Sequence, residues 1–345
     1  MFSGCYTAII SPLRRDLEVD YDGLKRLVDF QVEAGVAGVL AVGTSGESPT
    51  LTWAEHEAVI ENIHESISGR CATIAGTGSN STEETLDATQ HSADMGVTAV
   101  LLIDPYYNGP SSVEIRREYV EPVARRFPDM RIIPYVIPGR TGTKLLPPDL
   151  AILYHNFPNA CAVKEATGDI DNMKLTRKLC GSDFNILSGD DDITFQIIKA
   201  QDIYANGVVS VTSNIVPRAV QELVKLTREK KFENAEKINR ALKPLFEIVT
   251  VVTKEETPYG PVTCKARNPL PYKTLMNILG MPSGPCRSPL GKMTKKGLQV
   301  LLDKISQVYR DNPEILEPLE SFFDVKIEQR ISDKKYLEEL SYDAY

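Results

Sequence analysis

Short apolar runs alternate with amphipathic stretches through the first 230 residues of the chain. The runs are rich in small and β-branched side chains and show no polar alternation, which is typical of strands whose two faces are both buried. Between the runs, apolar residues recur at three- and four-residue steps, as at Leu24, Leu27 and Val28, and this spacing predicts helices. Asp20 and Gly35 are the expected N-cap and end of that first helix.

The alternation predicts eight strand-then-helix units. Strands are expected at 5–10, 36–42, 71–75, 98–103, 131–136, a run ending at Lys164, 185–187 and 207–211. The later helices are expected at 53–68, 82–95, 112–127, 148–156, 170–180, 191–200 and 216–229. An open, doubly wound sheet is the structural alternative. Eight units in this length, with no G-x-G-x-x-G motif after the first strand, favour a closed (β/α)8 barrel of the α/β class.

Additional helices are expected beyond the barrel, at 232–252, 270–279 and 294–309. The segment 255–267 contains Pro258, Gly260 and Pro261 and is interpreted as a loop. The chain is thus divided into a catalytic barrel domain at 1–230, a helical region at 231–309 and an acidic extension at 310–345. The extension carries ten acidic and five basic side chains, yet its apolar residues recur at near-helical spacing. A helix packed on the domain or on a partner subunit and a solvated acidic tail are equally compatible with it.

Composition excludes several classes of function. The formal charge of −8 over 345 residues argues against a general nucleic-acid or anionic-membrane binder. The N-terminus lacks a basic region followed by an apolar core, and no apolar run approaches the roughly 20 residues of a membrane span, so a cytoplasmic protein is expected. The six cysteines are scattered without a C-x-x-C pair, and the four histidines form no metal-binding motif, so no metal site is expected.

Candidate chemistry gathers where the predicted strands end, which is where active sites of βα barrels lie. Lys164 ends the sixth strand. Burial there would lower the pKa of its amine and make it a nucleophile for a carbonyl substrate, although a lysine at a strand end commonly extends its ammonium into solvent. Tyr135 on the fifth strand could move protons for such an amine if Thr44 or Ser45 and a second tyrosine relayed them onward.

Two further features suit carboxylates. The hydroxyls of Thr44 and Ser45, with backbone N–H groups at the flanking glycines, could hold one carboxylate, and Arg140 offers a guanidinium fork for another. Each also has an ordinary interpretation, as a plain turn, packing aromatics at Tyr106 and Tyr107, or a surface arginine. The glycine-rich turns could instead hold a phosphate, but they follow the second and third strands rather than the seventh and eighth.

Six motifs together identify a resemblance over residues 1–305. They are Gly43-Thr44-Ser45-Gly46-Glu47-Ser48, Ala75-Gly76-Thr77-Gly78, Asp104-Pro105-Tyr106-Tyr107-Asn108, Tyr135-Val136-Ile137-Pro138-Gly139-Arg140-Thr141-Gly142, Val163-Lys164-Glu165-Ala166-Thr167-Gly168 and Leu187-Ser188-Gly189-Asp190-Asp191. The chain resembles the pyruvate-dependent class I aldolase family, which includes dihydrodipicolinate synthase and N-acetylneuraminate lyase. The motifs around Arg140 and Lys164 are similar to the synthase branch.

The resemblance implies a role for each site residue. Lys164 would form an imine with pyruvate and Tyr135 would donate and accept protons. Thr44 and Tyr107 would complete the relay, Tyr107 reaching across from a neighbouring subunit. Pyruvate and L-aspartate 4-semialdehyde would be held through their carboxylates, and the remaining contacts would be main-chain carbonyls near the lysine. The residues so implied are Ser45 for pyruvate, Arg140 for the semialdehyde, and Gly189 and Val209 for the carbonyls.

The product implied is 4-hydroxy-tetrahydrodipicolinate, made for lysine and diaminopimelate biosynthesis through the covalent imine and without a cofactor. The family typically assembles as a homotetramer, a dimer of dimers. A sibling aldolase acting on a sugar acid or hydroxy-oxo acid is the alternative enzyme, and a ligand-binding barrel without turnover is the non-enzyme alternative. Because successive residues of a strand face opposite sides, Glu165 should point away from Lys164, and burial rather than a neighbouring carboxylate should set the pKa of the lysine.

The match to the synthase pattern is incomplete. Ser45 stands where threonine is usual, and Val136 where asparagine is usual. A lysine feedback site is matched at Ser48, His56, Asn80, Glu84 and Tyr106. Trp53 replaces a histidine common in lysine-sensitive members and Pro49 replaces a small residue, so weak or absent inhibition by lysine is expected.

Overall fold

The computed structural model describes residues 2–345 of the chain. Eight parallel strands close into a barrel in sequential order, and the eighth pairs with the first. The strands are β1 Gly4–Ala8, β2 Gly38–Ala41, β3 Ala72–Gly76, β4 Ala99–Ile103, β5 Arg131–Val136, β6 Ala162–Glu165, β7 Asn185–Ser188 and β8 Gly207–Ser210. The predicted (β/α)8 barrel is confirmed, and the open doubly wound sheet is excluded.

Helices cover the outside of the barrel. They are α1 Tyr21–Glu33, α2 Trp53–Ile67, α3 Thr82–Asp94, α4 Ser112–Glu114, α5 Glu121–Arg126, α6 Pro138–Thr141, α7 Pro147–Asn156, α8 Ile170–Cys180, α9 Thr194–Lys199 and α10 Pro217–Arg228. A π-helical segment, Ile115–Val120, joins α4 to α5, so the helix predicted at 112–127 is continuous but locally widened. Pro122, the second residue of α5, has no N–H to donate to the carbonyl of Glu118 four residues earlier. That carbonyl accepts from the Thr82 hydroxyl at 2.8 Å instead.

The barrel has two apolar layers that follow the two faces of its strands. The lumen is filled by side chains such as Tyr6, Leu40, Leu101, Tyr135 and Leu187. The outward-facing residues of the strands pack with the helices in a larger core. Because successive residues of a strand face opposite sides, the position of each residue along β6 decides which layer it enters.

Beyond α10 the chain forms α11 Phe232–Phe246, α12 Leu270–Ile278, α13 Lys295–Asp311, α14 Glu317–Phe323 and α15 Ile327–Ser332. Short 3₁₀ turns lie at Ser48–Thr50, Thr212–Asn214, Glu247–Val249, Pro313–Ile315 and Lys334–Tyr336. The proposed division at 230/231 falls between α10 and α11, whereas the division at 309/310 falls inside α13.

The loop interpretation of 255–267 is wrong. This segment belongs to an antiparallel hairpin of β9 Thr250–Thr257 and β10 Gly260–Arg267, paired in register from Thr257–Gly260 to Thr250–Arg267. The proline and glycine residues cluster at the turn, where Gly260 has a φ of 106°. In β10, half-buried residues alternate with exposed ones, the period-two pattern of a strand. The predicted helix 232–252 likewise ends early, since the β-branched residues from Thr250 favour the strand.

The acidic extension packs on the barrel through residues 313–327. Leu316, Leu319 and Ile327 are fully buried. The rings of Phe322 and Phe323 each lie 5.1 Å from the ring of Phe30 on α1, and such aromatic pairs contribute about 0.5–1.5 kcal/mol each beyond their burial. The packed alternative is therefore confirmed for this part of the extension, in which Glu314, Glu317 and Asp324 are exposed.

The helices that the structure describes between residues 2 and 345 include none that is both long enough and apolar enough to cross a bilayer.

Candidate active site

Lys164 lies inside the barrel near the end of β6. It shares its strand face with Ala162 and Ala166, which belong to the lumen, and its side chain is only 5% exposed. The parallel register pairs Lys164 with Tyr135 on β5, and the ammonium nitrogen Nζ lies 4.1 Å from the centre of the tyrosine ring. The strand pairing alone thus places an amine and a phenol side by side, as the sequence predicted.

Burial controls the ionisation of Lys164. Desolvation lowers the pKa of its amine to about 8, while the carboxylates of Asp190 and Asp191 oppose the fall and Arg140 adds to it. Glu165 faces the other side of the strand, where it accepts hydrogen bonds from the backbone N–H of Thr167 and the side chain of Asn172. The expectation that burial, and not Glu165, sets the pKa of the lysine is confirmed.

Tyr135 lies close to Thr44 in the loop that follows β2. Desolvation raises the pKa of its buried phenol, and Thr44 lies close enough to oppose part of that rise. Tyr135 and Thr44 also line a small cavity of about 50 Å³ at the strand ends. A neutral phenol near a hydroxyl can donate a proton and take it back, which is the requirement for a relay.

The loop that carries Thr44 and Ser45 is held by a buried ion pair. Glu47 has a left-handed backbone, with φ of 57°, and its carboxylate lies 2.5 Å from Nζ of Lys273 on α12. Both side chains are 1% exposed. Lys273 also donates to the carbonyls of Ser11 and Pro285, at 3.1 and 2.8 Å, so its three donors are all used. The loop is therefore fixed by groups far away in the sequence.

Ser45 has a second link to the C-terminal region. The side chain of the buried Asn268, which follows β10, donates to the Ser45 hydroxyl at 3.1 Å. The backbone carbonyl of the same asparagine accepts from Arg140 at 2.9 Å. Asn268 thus bridges the two residues expected to hold the two substrate carboxylates.

Arg140 lies on the short helix α6 at the mouth of a cavity of about 1040 Å³. Thr44 lines the same cavity, and its far wall is formed by the hairpin and the last four residues of the chain. The side chain of Arg140 is accessible, but surrounding protein still desolvates the guanidinium and lowers its pKa, and Arg267 adds to that effect. An unpaired guanidinium at such a mouth suits a carboxylate.

Gly189 follows β7 and Val209 lies on β8, and their contacts with Lys164 stay a prediction. The amide of Gly189 donates to the carbonyl of Glu165 at 2.7 Å, and a Cβ at Gly189 would come within 2.6 Å of that of Ala166, so a side chain does not fit here. Val209 is a buried lumen residue of β8 paired with Tyr6.

Tyr107 does not lie with Lys164, Tyr135 and Thr44 in this chain. Its side chain is 94% exposed in the loop after β4, with a φ of 77°, and it lines neither cavity. A role for Tyr107 in the site of a neighbouring subunit stays a prediction.

The five residues of the expected lysine site differ in exposure and in their contacts. Ser48 and Tyr106 line the small cavity, and the backbone N–H of Tyr106 donates to Asn80 at 2.7 Å. Glu84 accepts from the Ser79 hydroxyl. His56 is buried against Trp53, with ring centres 4.9 Å apart, and burial lowers the pKa of its imidazole to about 4. Weak or absent inhibition by lysine stays a prediction.

Several residues of the site were not assigned from the sequence. Asp190 follows β7, and desolvation raises the pKa of its carboxyl to about 6. Asp191 accepts backbone N–H bonds from Val211 and Thr212, which ties the seventh strand end to the eighth. Asn268 lies just before α12 and Lys273 lies on α12, both outside the barrel strands, and nothing in their local sequence pattern indicates the loop that they contact. In residues 2–345, no three or more His, Cys, Asp or Glu side chains are grouped so as to hold a metal ion.

Comparison with known proteins identifies the family. The model of the Dihydrodipicolinate synthetase family matches residues 1–308. The chain is 42% identical over 292 residues to the 4-hydroxy-tetrahydrodipicolinate synthase of Methanococcus maripaludis, a match that spans 85% of this chain and 93% of the relative. The solved dihydrodipicolinate synthase of Aquifex aeolicus superposes with a TM-score of 0.81 at 34% identity, covering 92% of this chain and all of that one.

A second solved structure holds a small ligand. It is the chloride-inhibited dihydrodipicolinate synthase of Acinetobacter baumannii complexed with pyruvate, with a TM-score of 0.81 at 30% identity, covering 89% of this chain and 99% of that one. Family model, sequence relatives and solved structures therefore agree on the family and on the barrel fold. The chain belongs to the dihydrodipicolinate synthetase family.

Proposed function

We propose that this chain condenses pyruvate with L-aspartate 4-semialdehyde to give 4-hydroxy-tetrahydrodipicolinate, a step of lysine and diaminopimelate biosynthesis. The observation that carries the proposal is the buried Lys164, with its pKa lowered to about 8, beside Tyr135 at the strand ends. The name of the Methanococcus relative and the pyruvate complex of the Acinetobacter relative support this choice of substrates.

The first half of the reaction activates pyruvate. The free amine of Lys164 adds to the ketone carbon, and the carbinolamine loses water once its hydroxyl has been protonated. Tyr135 is the group close enough to transfer that proton, with Thr44 next in the relay. The resulting iminium draws electrons from the methyl carbon, which loses a proton and becomes a nucleophilic enamine. In this scheme the Ser45 turn holds the pyruvate carboxylate, and the main-chain carbonyls of Gly189 and Val209 would accept hydrogen bonds from Lys164.

The second half joins the two substrates. The enamine carbon attacks the aldehyde carbon of the semialdehyde, and the new alkoxide takes a proton. The amino group of the semialdehyde then adds to the imine carbon and displaces Lys164, which closes the ring and frees the enzyme. Arg140 binds the semialdehyde carboxylate during these steps. The imine itself accepts the electrons, so the reaction as proposed needs no cofactor.

The assembly and location belong to the same proposal. A homotetramer would let the exposed Tyr107 complete the proton relay of a neighbouring subunit, which accounts for an aromatic side chain that is 94% exposed. The cytoplasm is the compartment we infer for this biosynthetic step.

The lowered pKa of Lys164 predicts a pH profile. Only the neutral amine attacks pyruvate, so kcat/KM for pyruvate should rise about tenfold per pH unit below pH 8 and level off above it. In Asp190→Asn the plateau should begin at lower pH, because the carboxylate that stabilises the ammonium is gone. Asp202→Asn removes an equal charge at the surface, where Asp202 pairs with Lys174, and should leave the profile unchanged. A plateau that moves upward in Asp190→Asn would contradict this electrostatic account.

Arg140 tests the choice of aldehyde. In a condensation assay with several aldehydes, Arg140→Ala should raise KM for aspartate 4-semialdehyde by about 10- to 100-fold, because a charge-assisted contact is lost, and change KM for pyruvate much less. An equal effect on both substrates, or better turnover of a sugar-derived aldehyde by the unaltered protein, would favour the sibling aldolase instead.

A further inference from the structure

The mouth of the active site carries two guanidinium groups held by a reciprocal contact. Arg140 donates to the backbone carbonyl of Asn268 at 2.9 Å, and Arg267 donates to the backbone carbonyl of Gly139 at 3.3 Å. Each arginine therefore binds the chain next to the other arginine. Desolvation lowers the pKa of Arg140, and the charge of Arg267 adds to that effect. This clamp joins α6 to the last residue of β10.

Neither guanidinium is neutralised by a carboxylate. None of the ion pairs formed among residues 2–345 includes Arg140 or Arg267, and both side chains are exposed on the cavity. Two like charges fixed together repel each other, and a bound anion would relieve that repulsion. Planar guanidinium forks suit a carboxylate in particular.

The acidic side chains that line the same cavity are Glu47, Glu255, Glu256 and Asp343, and none of them forms an ion pair with Arg140 or Arg267. Glu255 and Glu256 are opposite Val262 and Pro261 in the hairpin, whereas Arg267 is opposite Thr250 at its base. At about 3.3 Å per residue, the five residue steps from 262 to 267 separate the backbone of these glutamates from that of Arg267 by roughly 16 Å or more along the strand. Glu47 is occupied by Lys273.

The residue after Arg267 is also hydrogen-bonded to the loop that carries Ser45 and to Arg140, and these contacts fix the position of Arg267. The next residue, Asn268, is buried and donates to Ser45 while accepting from Arg140. The end of β10 is thus hydrogen-bonded both to the turn proposed to hold the pyruvate carboxylate and to the arginine proposed to hold the aldehyde. A side chain at 267 can therefore act on the second substrate without contacting the lysine.

We propose that Arg267 acts with Arg140 as a two-guanidinium site for the carboxylate of the aldehyde substrate, so that the hairpin β9–β10 supplies a specificity-determining residue. This inference rests on the proposed function, because it assigns a role toward the aldehyde of that reaction. The substrate class it selects is an aldehyde that bears a carboxylate, in preference to a neutral one.

Steady-state kinetics of Arg267→Gln test the assignment. The variant should raise KM for aspartate 4-semialdehyde about five- to tenfold and leave KM for pyruvate and kcat within about twofold, because the lost contact serves one substrate only. Its KM for the semialdehyde should also depend less on salt than that of the unaltered protein. Arg267→Lys keeps the charge but not the fork and should recover part of the loss.

Lys265→Gln is the matched control. Lys265 lies two residues earlier in β10, is exposed on the same cavity, and carries the same charge, so a general electrostatic effect would appear in both variants. We expect its kinetics to stay within about twofold of the unaltered protein. An unchanged KM for the semialdehyde in Arg267→Gln, equal rises for both substrates, or equal effects of the two variants would overturn the inference alone. Failure of the unaltered protein to turn over the semialdehyde would overturn the proposed function and this inference with it.

Discussion

Replacement of Lys164 by methionine is expected to abolish condensation and yet to yield a protein at least as stable as the original. Turnover should fall by at least about 10³-fold, because the imine cannot form and no other residue supplies its electron sink. Lys174→Met, at an exposed lysine on α8, is the control and should keep full activity. More than a tenth of the original turnover in Lys164→Met would show that another residue is the nucleophile.

The stability half of this expectation follows from the lowered pKa. The folded protein holds the proton of Lys164 less tightly than the unfolded chain does, with a pKa of about 8 against an ordinary 10.5. Below pH 8 the buried ammonium therefore destabilises the fold, by up to about 3 kcal/mol, and this cost disappears as pH rises from 8 toward 10.5. Methionine fills the space without the charge, so urea denaturation at pH 7 should give an equal or larger free energy of unfolding. A marked loss of stability would show that Lys164 supports the fold instead.

Replacement of Lys273 by methionine should be among the most destabilising single changes in the chain. It leaves the Glu47 carboxylate buried without its cation, which costs about 3–5 kcal/mol of unfolding free energy. The backbone N–H of Arg287 and the Thr50 hydroxyl still donate to Glu47, at 2.9 and 3.5 Å, but neutral hydrogen bonds do not replace the cation. Activity should fall as well, since Glu47 fixes the loop that carries Thr44 and Ser45.

Two comparisons separate this effect from a general loss of charge. Lys304→Met breaks a partly exposed pair with Glu247 and should cost less than about 1 kcal/mol. The double change Lys273→Met with Glu47→Leu removes both charges and should recover much of the lost stability. If Lys273→Met proves no more harmful than Lys304→Met in urea denaturation, the buried pair is not what holds this loop.

The sequence was sufficient to predict the barrel and the pairing at its centre. Eight apolar runs of small and β-branched residues, each followed by a helical pattern, favour a closed parallel barrel over other arrangements. β5 and β6 are neighbours, and their pairing puts Tyr135 beside Lys164. Because successive residues of a strand face opposite sides, Lys164 points into the barrel and Glu165 points away from it. These conclusions depend on short-range periodicity, which a single sequence displays directly.

Contacts between distant segments could not be predicted in the same way. Lys273 reaches Glu47 across 226 positions, and Asn268 reaches Ser45 across 223. No local spacing indicates such pairs. The hairpin was missed for a different reason, since Pro258, Gly260 and Pro261 at its turn concealed the alternation in β10. The sequence did not decide whether the acidic extension packs, because its apolar residues predict a packed helix and its charge predicts a solvated tail. The burial of Leu316 and Leu319 shows that it packs.

Borohydride trapping tests the central claim most directly. The protein should be incubated with labelled pyruvate at pH 8, where about half of the Lys164 amine is neutral, and then reduced and digested for mass spectrometry. One reduced pyruvyl adduct per chain is expected, on the peptide containing Lys164, and none in Lys164→Met. An unmodified protein, or an adduct on another lysine, would contradict the central claim.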